Sequence, residues 1–83
     1  IELGEIEAAL AEHPDIRECV VIPREDTPGD VRLVGYIIPV DGTRVPEAQT
    51  LRQHLRAQLP EAMVPGHFVT MEQFPLTPNR KID

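Results

Sequence analysis

The chain has 83 residues, and its composition of 41% hydrophobic and 27% charged residues is typical of one small globular domain with a thin core. Its net charge of −6 argues against a nucleic-acid partner, because neutralising phosphate groups requires clustered Lys and Arg side chains. It contains no apolar run near the roughly 18 residues that span a membrane, so we also expect no membrane partner.

The first predicted element is an amphipathic helix over residues 2–12, in which apolar residues recur at spacings of three and four. Glu2, Glu5 and Glu7 place negative charge near the positive end of its dipole. We interpret these acids as a solvated helix face rather than as catalytic carboxylates. Pro14 is expected to end the helix, because the residue before a proline disfavours helical geometry.

Two strands are predicted next, at Ile16–Ile22 and Val31–Val40, because both segments are dense in β-branched and other apolar residues. Pro23 is expected to close the first strand, and the polar segment 24–30 to form the loop of an antiparallel hairpin. Cys19 is the single cysteine and cannot form an intramolecular disulfide, so we interpret it as a packing thiol in a reducing, cytoplasmic environment.

A second amphipathic helix is predicted from Pro46 or Glu47 to Leu59, with leucines one turn apart on one side. A compact connector, 60–65, is bracketed by prolines that neither a helix nor a strand can run through, and a short third strand is predicted at His67–Met71. The order helix, strand, strand, helix, strand predicts an α+β fold, with two helices packed against a small, mostly antiparallel sheet of about three strands.

Few side chains suggest chemistry by their pattern alone. The sequence has no Gly-rich phosphate loop, no Cys/His metal spacing and no nucleophile beside a base, so no metal site is predicted. His13, His54 and His67 lie on separate predicted elements and are interpreted as solvated or packing side chains. By composition alone, Lys81 is a surface charge.

Three segments in order change that interpretation: IELGEIE at residues 1–7, LPEAMVP at 59–65 and LTPNRKID at 76–83. Together they resemble the last three signature motifs of the adenylation domains of nonribosomal peptide synthetases, members of the adenylate-forming superfamily with acyl-CoA synthetases and luciferases. The resemblance spans the chain and implies that residues 1–83 are a C-terminal lid subdomain. We therefore expect the chain, which begins without Met, to be a fragment of a larger protein.

The resemblance implies partners and cofactors that lie outside this chain. A larger N-terminal subdomain in cis would hold ATP, Mg²⁺ and the amino-acid substrate. The amino acid would be joined to AMP and then captured by the phosphopantetheine thiol of a peptidyl carrier domain, with the lid rotating between the two steps. The fragment alone is expected to be inactive.

Lys81 aligns with the lysine of the closing motif, which in the family reaches the active site during adenylation. A compact ammonium on a long stem suits the stabilisation of charge on the α-phosphate. Arg80 stands where the family usually has glycine, so its side chain would either obstruct the Asn79 turn or add a contact to phosphate.

Six further residues match motif positions, and the resemblance implies structural roles for them: Glu2, Gly4, Glu5, Met63, Val64 and Pro65. The first three would seat the opening helix beside a loop that precedes Ile1 in the family. The last three would fix the path of the connector, in which Ala62 replaces the usual aromatic residue.

Two alternatives stay open. The chain could be the lid of a stand-alone acyl-CoA or aryl-acid ligase, which a carrier domain encoded after Asp83 would exclude. It could also be a noncatalytic docking module in which Arg80 and Lys81 are surface charges, and substitution of Lys81 separates this possibility from the first.

Overall fold

The computed structural model describes residues 2–75, and these form two α-helices and a three-stranded sheet in the predicted order. No helix of these residues is long and apolar enough to cross a membrane. In chain order, the elements are α1 (Leu3–Ala11), β1 (Ile16–Thr27), β2 (Asp30–Pro39), α2 (Ala48–Arg56), a one-turn 3-10 helix (Glu61–Met63) and β3 (His67–Thr70).

Helix α1 agrees with its prediction to within one residue at each end, with Glu2 and Glu12 as its caps. Its buried side chains are Ile6, Ala9 and Leu10, which lie on one side of the helix as their spacing requires. The amphipathic pattern therefore sets which side of α1 faces the sheet.

The β1–β2 hairpin is longer than predicted, and the expectation that Pro23 closes the first strand is wrong. Strand β1 continues through Pro23 to Thr27, and Gly29, with a φ of +83°, lies in the tight turn before β2. A proline is tolerated here because β1 is an edge strand, where the missing N–H need not face the neighbouring strand. The charged residues in the extension of β1 are exposed, so folding does not remove their charges from water.

The sheet has the order β1-β2-β3, in which β1 and β2 are antiparallel and β2 and β3 are parallel. The sheet is therefore mixed and mostly antiparallel, and the predicted α+β class is confirmed. A parallel neighbour for β2 requires the chain to cross over, and α2 with the connector makes that crossover.

Helix α2 is shorter than predicted, since it begins at Ala48 and ends at Arg56 rather than at Leu59. Pro60 keeps Leu59 out of the helix, because the residue before a proline avoids helical geometry. Leu59 still donates its backbone N–H to the carbonyl of Leu55 at 2.8 Å. The 3-10 turn follows within the predicted connector, which is therefore not wholly irregular.

Both helices pack on one face of the sheet, where the core forms. Gly35 and Ile37 of β2 lie on this face, opposite Val21 and Cys19 of β1 respectively. The core is aliphatic, as the low aromatic content predicts. Its buried members are Ile6, Ala9, Leu10, Ile16, Val21, Ile37, Leu51 and Leu55.

Candidate functional site

The opening and central sequence motifs, nearly 60 residues apart in the chain, meet at one apolar groove. Leu3 of α1 lies on one side of this groove, and Ala62, Val64 and Gly66 lie on another. The groove has a volume of about 520 Å³, and the remaining lining comes from the hairpin: Pro23, Val31, Arg32 and Leu33. The fold thus brings two of the three motifs to a common surface.

The acids of the opening motif occupy different environments. Glu2 is the N-cap residue of α1, and its backbone carbonyl accepts bonds from the N–H groups of Glu5 at 3.1 Å and Ile6 at 3.4 Å. The side chains of Glu2 and Glu5 are exposed, and that of Glu2 makes no capping hydrogen bond. These two acids are available to solvent or to another part of a larger protein.

Glu7 differs from the other acids, so its interpretation as part of a solvated face is wrong. Its Oε2 accepts a hydrogen bond from the backbone N–H of Val21 at 2.8 Å, and its backbone carbonyl accepts one from the Cys19 thiol at 3.3 Å. Helix periodicity places Glu7 on α1 but does not indicate that β1 passes beside it. Only the packing of α1 against β1 reveals this role.

Gly4 is exposed, and a Cβ built on it would have no atom within 4 Å. The packing of the described residues therefore does not require glycine at this position. In contrast, a Cβ on Gly35 would lie 2.8 Å from Cδ1 of Phe68, because the phenyl ring of β3 covers the β2 backbone there. Gly35 is thus a packing residue that motif comparison did not single out.

The connector is held by packing and by charge. Pro65 is fully buried, and Met63 and Val64 pack against the core. Arg56, at the end of α2, binds the carboxylate of Glu61 with both Nε and a terminal nitrogen, at 2.9 and 3.2 Å. A bidentate guanidinium–carboxylate contact is more directional than a single hydrogen bond, so it orients the 3-10 turn relative to α2.

The packing also brings together two histidines that belong to separate elements. The ring centroids of His13 and His54 are 5.5 Å apart in an edge-to-face arrangement. His54 donates from Nε2 to the carbonyl of Ala9 at 2.8 Å, and His13 Nδ1 accepts from the backbone N–H of Asp15 at 3.1 Å. These bonds give both rings a structural role at the junction of α1 and α2.

Among residues 2–75, no group of three or more His, Cys, Asp or Glu side chains is arranged to hold a metal ion. Cys19 is half-buried, and burial, followed by the nearby charge of Glu7, raises the pKa of its thiol to about 11. A thiol with so high a pKa is a poor nucleophile near neutral pH.

The closing motif lies outside the described residues, and so do the predictions for Asn79, Arg80 and Lys81. The structure describes the other six motif residues: Glu2, Gly4 and Glu5 are exposed at the start of α1, Met63 and Val64 pack against the core, and Pro65 is buried. Their roles in positioning the opening helix and in fixing the path of the connector stay predictions.

Comparison with known proteins identifies relatives along nearly the whole chain. The sequence profile of the AMP-binding enzyme C-terminal domain matches residues 5–81. A dimodular nonribosomal peptide synthase of Bacillus subtilis (strain 168) is 53% identical over 83 residues, which are 100% of this chain but only 3% of that protein. The chain therefore spans a small part of the curated relatives that it matches.

Solved structures show the same fold in two kinds of enzyme. A four-domain nonribosomal peptide synthetase, holo-AB3403 bound to AMP and glycine, matches with a TM-score of 0.84 and 35% identity, over 100% of this chain and 6% of its own. A malonyl-CoA ligase with methylmalonyl-CoA and AMP bound matches with a TM-score of 0.78 and 36% identity, over 88% of this chain and 16% of its own.

Proposed function

The chain belongs to the family of AMP-binding enzyme C-terminal domains, a part of adenylate-forming ligases, and from this premise we propose that it is the mobile lid of an ATP-dependent amino-acid adenylation domain. The proposal is supported above all by the groove at which the opening and central motifs meet. A groove that carries motif residues from both halves of the sequence is suited to contact with a larger N-terminal subdomain.

In the proposed first step, a carboxylate oxygen of the amino acid attacks the α-phosphorus of ATP. The bond from this phosphorus to the bridging oxygen breaks, and pyrophosphate leaves with the bonding electrons. Lys81 contributes an ammonium group that stabilises the negative charge on the nonbridging oxygens. This assignment of Lys81 is supported by its place in the closing motif.

In the proposed second step, the phosphopantetheine thiolate of a carrier domain attacks the carbonyl carbon of the aminoacyl-AMP, and AMP leaves. The lid rotates between the steps, so that Lys81 leaves the active site and the opening motif faces it. Mg²⁺ and most of the ATP molecule would be held by the N-terminal subdomain, as the resemblance to adenylation domains implies.

The lid of an acyl-CoA ligase is the second candidate function, and the likeness to the malonyl-CoA ligase favours keeping it. The 53% identity to a nonribosomal peptide synthase over all 83 residues supports the first candidate, whereas the two solved structures, at 35% and 36% identity, favour neither.

The test uses the intact protein that contains this chain. If labelled pyrophosphate exchanges into ATP only when an amino acid is present, and a carrier domain is then loaded, the amino-acid-activating lid is supported. Exchange that depends on a carboxylic acid without an amino group, followed by release of a CoA thioester, would support the second candidate instead. Absence of exchange with either class of acid would contradict both.

A further inference from the structure

The segment 40–47, which leads from β2 to α2, contains the dipeptide Asp41-Gly42. It is the only place in the sequence at which glycine follows Asp or Asn. The side chain of an aspartate can be attacked by the backbone nitrogen of the next residue, and glycine hinders this attack least because it has no Cβ. Both residues are exposed. The geometry around the dipeptide therefore decides how readily the attack occurs.

The nucleophile, the backbone nitrogen of Gly42, is accessible. Within residues 2–75, the N–H of Gly42 donates no hydrogen bond to a backbone carbonyl that would have to break first. A Cβ built on Gly42 would meet no atom within 4 Å, so its surroundings do not crowd the reacting bond. Gly42 also lines a pocket of about 400 Å³ with Val45 and Met71, which leaves room for water and for a five-membered ring.

The electrophile, the carboxyl group of Asp41, is held in its less reactive form. Its Oδ1 accepts two hydrogen bonds from Thr43, one from the backbone N–H at 2.9 Å and one from the hydroxyl at 2.7 Å. These two bonds, followed by the charge of Arg44, lower the pKa of the Asp41 carboxyl. A carboxylate resists attack by nitrogen, because the leaving oxygen departs as water only from the protonated carboxyl group.

We propose that Asp41-Gly42 is a site of spontaneous isoaspartate formation in this protein, and that the hydroxyl of Thr43 slows the reaction. In the first step the Gly42 nitrogen forms a bond to Cγ of Asp41, and the N–H proton and the carboxyl OH leave together as water. The product is a succinimide ring, which one water then opens. Attack of this water at Cγ restores aspartate, whereas attack at the main-chain carbonyl carbon of Asp41 gives isoaspartate.

The structural consequence is a longer main chain between β2 and α2. In isoaspartate the chain continues through Cβ and Cγ, which adds one methylene to the backbone. The N–H of Arg44 donates to the carbonyl of Asp41 at 2.9 Å and closes the turn there, and the longer chain cannot keep this geometry. The reaction therefore alters the crossover that leads into α2 without changing the mass of the protein.

The test is a prolonged incubation of the intact protein near neutral pH, followed by digestion with trypsin. Cleavage after Arg32 and Arg44 gives a peptide of residues 33–44, in which Asp41 is the sole Asp or Asn. Isoaspartate in this peptide is measured by methylation with a protein-isoaspartate methyltransferase and by chromatographic separation from the unchanged peptide. A synthetic peptide of the same residues is the reference without the fold. The internal controls are the aspartates followed by β-branched residues: Asp15, Asp26 and Asp30.

Isoaspartate should form faster at Asp41 than at the three control aspartates, and Gly42→Ala should slow it by about fivefold or more. Thr43→Val, which removes the hydroxyl, should accelerate the reaction by about twofold or more, whereas Thr43→Ser should keep the original rate. Absence of isoaspartate at Asp41 once half of the synthetic peptide has isomerised would overturn the site. An unchanged rate in Thr43→Val would overturn the role of the hydroxyl.

Discussion

The carboxylate of Glu7 accepts a hydrogen bond of 2.8 Å from the backbone N–H of Val21, and this bond ties helix α1 to strand β1. Because β1 has a neighbour on one side only, half of its backbone donors face away from the sheet. Glu7 satisfies one of these donors with a charged acceptor. The backbone carbonyl of Glu7 also accepts a hydrogen bond from the Cys19 thiol, so this one residue of α1 binds two residues of β1.

Removal of the Glu7 carboxylate should destabilise the domain. We expect Glu7→Ala to lower the free energy of unfolding by about 1.5–3 kcal/mol, the range for a hydrogen bond to a charged group. Glu7→Gln keeps a neutral acceptor and should lose less. Glu5→Ala is the control, because Glu5 is exposed on the same helix and should cost less than about 1 kcal/mol. Urea unfolding measures all three, and equal losses for Glu5→Ala and Glu7→Ala would contradict the expectation.

The close approach of Phe68 to Gly35 leaves no space for a methyl group. Gly35→Ala would place a Cβ 2.8 Å from Cδ1 of Phe68, so we expect a loss of about 1–3 kcal/mol in unfolding free energy. The control is Gly42→Ala, since a Cβ there would meet no atom within 4 Å. If Phe68→Leu does not relieve the effect of Gly35→Ala in the double variant, the ring is not its cause.

Alkylation of Cys19 should be slow in the folded protein. Burial and the nearby Glu7 raise the pKa of this thiol from 9.0 to about 11, so at pH 8 its thiolate fraction is about 100-fold lower than that of an unperturbed cysteine. We expect the rate of iodoacetamide labelling to fall at least as much and to recover in urea. Glu7→Gln removes the charge and should accelerate labelling of the folded protein. A folded-state rate equal to that in urea would contradict the raised pKa.

The same pKa predicts how stability depends on pH. Below pH 9 the thiol is protonated in both the folded and unfolded states. Between pH 9 and 11 the unfolded state loses the Cys19 proton first, so the free energy of unfolding should fall as pH rises through this window. Cys19→Ser provides the comparison in urea titrations, and its stability should show a weaker decline over the same range.

The small side chain of Ala62 leaves space in the groove at which the opening and central motifs meet. A larger apolar side chain at this position should fill part of that space. Ala62→Tyr is expected to raise the unfolding free energy by about 1 kcal/mol, from about 40 Å² of apolar surface covered on Leu3, Leu33 and the new side chain. Ala8→Tyr adds the same ring at an exposed site on α1 and should not stabilise the domain. Thermal unfolding distinguishes the two, and a destabilised Ala62→Tyr would mean that the groove cannot accept a ring.

Substitution of Lys81 tests the proposed chemistry in the intact protein. Lys81→Ala should slow adenylate formation by about 10² to 10³, the range for the loss of one electrostatic contact in the transition state. Transfer from preformed adenylate to the carrier thiol should stay near normal, because Lys81 is proposed to act in the first step only. Arg80→Gly tests separately whether the neighbouring Arg80 contributes a contact to phosphate. Unchanged pyrophosphate exchange in Lys81→Ala would favour the noncatalytic docking module.

The sequence by itself determined the number, type and order of the α-helices and strands, because these follow from local patterns. The periodicity of α1, the apolar density of both long strands and the leucine spacing of α2 identify elements that the structure contains. The three motifs also identified the family before any geometry was known, and the profile match over residues 5–81 agrees with them.

Only the tertiary structure decided how the elements meet. Pro23 stays within β1 because that strand lies at an edge, Glu7 binds Val21 because α1 lies beside that edge, and the parallel partner of β2 is set by a crossover. These features depend on contacts between residues distant in sequence, whose energies arise from packing and leave no local pattern to read.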